Sequence, residues 1–178
     1  MPDIQVSMHG RRFGLASEDD GGGLIINRRN NTQSLLGMYC HKTITSAQVL
    51  ALFGTPITVL AAQGAGIAIV PTRVAVYKPA GTAYSGIATG EDLVLKYTNA
   101  SGAQCCGVIE TTGFLDQTTA QTRVSHPPGS MTTVAGDYAP VANAAVVMHL
   151  LVGEITTGDS PLYVRMWYDL IPTVFTGN

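Results

Sequence analysis

Charge is scarce in this chain. Asp, Glu, Lys and Arg together make up 12% of the 178 residues, about half the share in an ordinary soluble domain. Apolar types make up 46%, so a solvated disordered chain is excluded and a sizeable core is required. The net charge of −2 provides no chain-wide basic field, which argues against nucleic acid as a partner. Apolar runs are short. The longest, residues 141–152, contains Asn143 and His149 and falls short of the ~18 to 20 residues a spanning helix needs, so no membrane partner is expected. Cysteine is limited to Cys40, Cys105 and Cys106. An odd number that includes two chain neighbours makes a disulfide framework improbable. The opening Met1-Pro2-Asp3-Ile4-Gln5 lacks the charged start and apolar centre of a secretory signal, so synthesis in a host cytoplasm is expected.

The positive charge that exists is unevenly placed. Arg11, Arg12, Arg28, Arg29 and Lys42 fall in the first 42 residues, which also hold the run Gly21-Gly22-Gly23 and show no sustained strand or helix period. This stretch is read as an extended N-terminal arm, and residues 43–178 as one β domain. In that body five bases face eight acids. Short apolar segments alternate there with turn residues. Residues 57–60 follow Pro56, 67–70 end at Pro71, and 73–77 stop at Lys78-Pro79-Ala80-Gly81. Pro71 marks an edge or a bulge. Residues 93–97 alternate and turn back at Asn99-Ala100-Ser101-Gly102 towards 103–110, a hairpin pattern. Residues 144–152 and 162–171 flank a turn-rich stretch and read as a final strand pair. In the second of them Leu162, Val164, Met166 and Tyr168 share one face, while Tyr163, Arg165, Trp167 and Asp169 share the other. The helix candidates are few: residues 46–53, where Ser46 could cap a helix but a strand is equally readable, and residues 112–121, readable as a short helix or a loop. Seven to nine strands at roughly 8- to 15-residue spacing indicate an all-β fold, an antiparallel sandwich or jelly-roll-like barrel.

Searching for chemistry gives little. The four histidines, His9, His41, His126 and His149, form none of the paired spacings of a metal site. Cys40-His41 is a lone Cys/His pair at the arm junction. No nucleophile elbow is present, and thiols placed among apolar strand neighbours, as expected for Cys105 and Cys106, have raised pKa values and are inert. Gly64-Ala65-Gly66 lacks the third glycine and following helix of a phosphate loop and reads as a turn. The carboxylate pairs Asp19-Asp20 and Glu91-Asp92 do not match a calcium loop. No catalytic residue, metal or cofactor is therefore expected.

Several blocks between Ser46 and Pro172 carry a resemblance. They are Ala47-Gln48-Val49-Leu50-Ala51-Leu52, Thr55-Pro56-Ile57-Thr58-Val59-Leu60, Thr82-Ala83-Tyr84, Gly90-Glu91-Asp92-Leu93, Gly113-Phe114-Leu115-Asp116 and Thr156-Thr157-Gly158-Asp159-Ser160-Pro161-Leu162. In this order they resemble small β-sandwich virion proteins of tailed bacteriophages, the head decoration or cement proteins. The resemblance implies a jelly-roll-like domain on the outer surface of the virion. It would bind the phage major capsid protein as a homo-oligomer, often a homotrimer, and reinforce joints between capsid subunits without enzymatic activity. The arm before residue 43 departs from the compact pattern.

Two sets of contact residues follow. Arg11, Arg12, Arg28 and Arg29 suit acidic patches on a shell, because guanidinium groups make forked contacts with carboxylates. Residues 144–152 are apolar on both faces, and a lone sandwich covers only one. Val147, His149, Tyr163, Arg165 and Trp167 are accordingly the expected subunit contacts. The alternatives are a phage tail, neck or baseplate structural protein, a carbohydrate-binding module motivated by Trp167 and the tyrosines, and a glycosidase-like enzyme using scattered carboxylates.

Overall fold

Period-two alternation and turn chemistry set most element boundaries in the computed structural model, which describes residues 5–8, 11–14, 25–28, 31–34, 38–127 and 138–173. Two antiparallel hairpins come first: β1 (Gln5–Met8) pairs with β2 (Arg11–Gly14), and β3 (Ile25–Arg28) with β4 (Asn31–Ser34). Then follow β5 (Met38–Ile44), α1 (Ser46–Leu50), β6 (Ile57–Leu60), β7 (Ile67–Lys78), β8 (Asp92–Tyr97), β9 (Ile109–Glu110), β10 (Gln121–Ser125), β11 (Val146–Leu150) and β12 (Leu162–Pro172).

The body is an all-β sandwich of two four-stranded antiparallel sheets, ordered β10-β7-β12-β5 and β6-β11-β8-β9. Their inner faces supply the core. Val74 and Val76 of β7 and Leu162, Val164 and Met166 of β12 meet Leu93, Leu95 and Tyr97 of β8 and Val146, Met148 and Leu150 of β11. A fully buried aliphatic side chain contributes roughly 1.5–3 kcal/mol, so this seam dominates stability. It also carries one inter-sheet hydrogen bond, from the Tyr97 hydroxyl to the Ile69 carbonyl at 2.6 Å.

Local sequence explains the one helix among the described residues. Thr45, not Ser46, is the N-cap: its Oγ1 accepts from the Gln48 amide, and Gln48 Oε1 accepts from the Thr45 amide at 2.9 Å. This reciprocal pair satisfies donors that a helix start otherwise leaves open. Residues 112–120 take the loop form, with turns nucleated where the Thr111 carbonyl accepts from the Phe114 and Leu115 amides, and Gln121 already opens β10.

Three sequence expectations change once partners are assigned. The pattern ends a strand at Pro71, but β7 runs on through it, and the pairing of β12 shifts register there, with Trp167 opposite Arg73 and Tyr168 opposite Pro71. A proline cannot donate to the ladder, and a bulge is where that loss costs least. Residues 38–42, assigned to the arm by composition, lie in β5 and pair with β12 from Tyr168↔Met38 to Val164↔Lys42. Residues 144–152 and 162–171 do not form a hairpin. β11 and β12 belong to different sheets, and residues 151–161 cross between them. Gly158 makes that crossing possible: its φ is +95°, and a Cβ there would collide with the Tyr84 ring, so only glycine fits.

Candidate interaction surface

Because alternate side chains of a strand point to opposite faces, the sheet β10-β7-β12-β5 has an outer face as well as a core face. Three of its strands repeat one pattern. Tyr39, His41 and Thr43 alternate with Cys40, Lys42 and Ile44; Arg73, Ala75 and Tyr77 with Val74 and Val76; Tyr163, Arg165 and Trp167 with Val164 and Met166. Register then aligns the outward members across the sheet. Tyr163 stands between Thr43 and Tyr77, Arg165 between His41 and Ala75, and Trp167 between Tyr39 and Arg73.

The rings and cations assembled in this way contact one another. The Arg73 guanidinium lies over the Trp167 ring, with its carbon 3.7 Å from the centroid. That of Arg165 lies 5.4 Å from the Tyr39 centroid and 5.9 Å from that of Trp167. Tyr77 and Tyr163 stack with centroids 6.0 Å apart. These contacts leave much of the surface open: Tyr77 is 42%, Tyr163 46% and neighbouring Val124 of β10 51% exposed. A shallow groove of about 410 Å³ runs among His41, Tyr77, Tyr163, Arg165 and Trp167. Apolar area of this extent, mixed with Arg and aromatics, is the composition that distinguishes the energetic centres of protein interfaces.

The structure divides the expected contact residues. Tyr163, Arg165 and Trp167 come together on the outer face, whereas Val147 and His149 are buried, 3% and 5% exposed. This corrects their assignment as subunit contacts, for the second apolar face of β11 is covered within the chain. On that side His149 Nε2 lies 3.0 Å from the Phe53 carbonyl and the two rings stack at 5.6 Å. Arg11 and Arg12 fall in β2 and Arg28 in β3, while Arg29 lies outside the described residues. Tyr39, His41, Arg73 and Tyr77 belong to the surface although the sequence did not single them out for it. Their signal was the same alternation that marked Tyr163, Arg165 and Trp167, without the register that aligns the strands.

The other chemical candidates resolve into structure. Cys40 and His41 lie on β5, where Cys40 packs against the core and His41 is exposed. Burial pushes the Cys40 thiol up to about 11. Cys105 and Cys106, expected in a strand, lie between β8 and β9 and are fully buried, which raises both thiols. Gly64-Ala65-Gly66 is a turn, closed by the Ile67 amide on the Gly64 carbonyl at 3.2 Å. Among the described residues no three His, Cys, Asp or Glu side chains gather closely enough to hold a metal ion. Asp92 faces Glu110 across the β8–β9 pair, and burial followed by that neighbour raises its carboxyl. No protein-family model, curated protein or solved structure matches the chain.

Proposed function

We propose that the chain is a non-enzymatic virion structural protein of a tailed phage, which binds the outside of the capsid and stabilises contacts between major capsid subunits. The carrying observation is the outer face of the β10-β7-β12-β5 sheet, where exposed Tyr77, Tyr163, Arg73 and Arg165 form one patch around half-buried Trp167. A reinforcing protein works by contact alone, and large rigid rings with forked cations supply contact area at small entropic cost. The resemblance of residues 46–172 to head decoration proteins selects a capsid among possible protein partners. Self-association as a homotrimer belongs to the same proposal and would multiply weak single contacts.

Shells freed of the protein and reconstituted with it provide the test. Re-addition should raise the temperature at which shells rupture, and its copy number should match the capsid lattice and not a tail ring or baseplate. Unchanged rupture, or density confined to the tail in a particle map, overturns the reading.

A further inference from the structure

Arg73 and Arg165 are positioned by rings and not by counter-ions. Arg73 lies over Trp167, and Arg165 lies near both Tyr39 and Trp167. Neither guanidinium has an ion pair or hydrogen bond among the described residues. A guanidinium carries five N–H donors in a planar fork. A ring against its π face leaves the donor edge open and limits the rotamers that binding would have to freeze. The two arginines stand on adjacent strands, β7 and β12, two paired positions apart along the ladder. None of the outward residues in these three rows is Asp or Glu; the exposed Asp169 follows Trp167 on the same face of β12, outside the rows and opposite Val70 of β7. The patch is therefore cationic on a chain whose acids outnumber its bases, 12 to 10.

We propose that this face docks a partner protein presenting paired Asp or Glu carboxylates set among apolar side chains. The carboxylates seat on the forks of Arg73 and Arg165, and the apolar groups lie against Tyr77, Tyr163 and Val124. The proposal rests on the reading of the protein as one that attaches to a protein shell, and it names the chemistry of that contact. Other occupants fit less well. A sugar needs a free ring face, but Trp167 has Arg73 over one of its faces, and Tyr77 and Tyr163 stack on each other. A nucleic acid would meet a net negative chain. A second copy placed face to face would set the arginines of one against those of the other.

The test is an NMR titration of the isotope-labelled full chain with two synthetic hexapeptides. One contains Asp-Leu-Glu-Phe and its neutral twin contains Asn-Leu-Gln-Phe. The Arg73 and Arg165 side-chain N–H signals and the Trp167 indole N–H should shift with the acidic peptide, and the neutral twin should bind roughly tenfold more weakly. Added salt should weaken the acidic peptide alone. The double variant R73Q/R165Q, checked for native folding by its amide spectrum, should lose the preference, and R165K should restore only part of it because lysine lacks the fork. Equal binding of both peptides, or native preference in R73Q/R165Q, overturns the proposal. So does tighter binding of oligothymidylate or oligogalacturonate at the same signals, or occlusion of the face by a second copy. A parallel arm uses shells whose surface carboxylates have been converted to neutral amides. Equal attachment to treated and untreated shells defeats the carboxylate contact while leaving shell binding intact. Failure on untreated shells combined with a positive peptide titration supports the carboxylate contact and defeats the shell reading.

Discussion

His149 meets Phe53 twice, through a 3.0 Å contact between its Nε2 and the Phe53 carbonyl and through a ring stack at 5.6 Å. Since a carbonyl only accepts, Nε2 carries the proton, and Nδ1 is left buried without a hydrogen-bond partner among the described residues. This pair seals the face of β11 that a second subunit was expected to cover, and it makes the central strand sensitive to acid.

Burial, and then the nearby Lys96 ammonium, lowers the His149 pKa below 6.5, against a smaller opposing effect of the Phe53 carbonyl. A lowered folded-state value means that the unfolded chain takes up the proton first. Stability should therefore be full above the ordinary value of 6.5 and decline as pH falls below it towards the folded-state value. Melting temperature measured from about pH 8 to pH 5 should show this decline, and His149→Leu should flatten it. An unchanged slope in that variant would assign the acid sensitivity to other groups.

The alkaline limb has the opposite cause. Burial raises the Cys40 thiol to about 11 and the Tyr84 hydroxyl to about 12, and it also raises Cys105, Cys106 and Tyr97. These groups keep their protons in the folded state after the unfolded chain has released them. The Cys40 contribution is complete below the ordinary thiol value of 9.0 and is lost as pH rises through about 11, and that of Tyr84 is complete below 10.0 and lost through about 12. Each titrating group changes stability by up to about 1.4 kcal/mol per pH unit. Lys78 works in the other direction, because burial lowers its pKa against the pull of Asp159 and Asp116. Burial raises the Tyr168 hydroxyl as well, and with six groups opposing one, equilibrium unfolding should show net loss of stability above pH 9, reduced by Cys105→Ala.

Val147 and Trp167 separate folding from docking. Val147 is 3% exposed, so Val147→Glu buries an unpaired carboxylate and should cost on the order of 4 kcal/mol or more, seen as loss of the cooperative unfolding transition. Trp167→Glu places a carboxylate beside Arg73 and Arg165 on an open face. Stability should change by about 1 kcal/mol or less, while acidic peptide and shell binding disappear because the forks are already occupied. Attachment that survives Trp167→Glu would remove the outer face from the mechanism.

Gly158 tests the crossing between the sheets. Alanine there faces both a φ of +95° and the Tyr84 ring, and the loss should be about 2–4 kcal/mol in chemical denaturation. Tyr84 also donates to the Ser160 carbonyl at 2.5 Å, so displacement of its ring should show in the same measurement as a loosened 151–161 segment in hydrogen exchange.

Local order was already written into the chain. Thr45 and Gln48 cap a helix three residues apart, and Leu162, Val164 and Met166 alternate with Tyr163, Arg165 and Trp167. Both patterns depend only on neighbours in sequence, so the all-β class, most strand positions and the inward or outward sense of β12 could be read from residue order. Partners could not. Residues 144–152 and 162–171 look like a hairpin because a turn-rich stretch joins them, yet β11 pairs with β6 and β8 while β12 pairs with β5 and β7. Composition likewise gave residues 38–42 to the arm, although their backbone completes the ladder of β12. The same limit governed the surface. Arg73 and Trp167 are 94 residues apart in the chain, and only the register of β7 on β12 brings a guanidinium over an indole. Alternation decides which face a side chain occupies, but strand pairing across long loops depends on how the whole core closes, and that is a property of the tertiary structure alone.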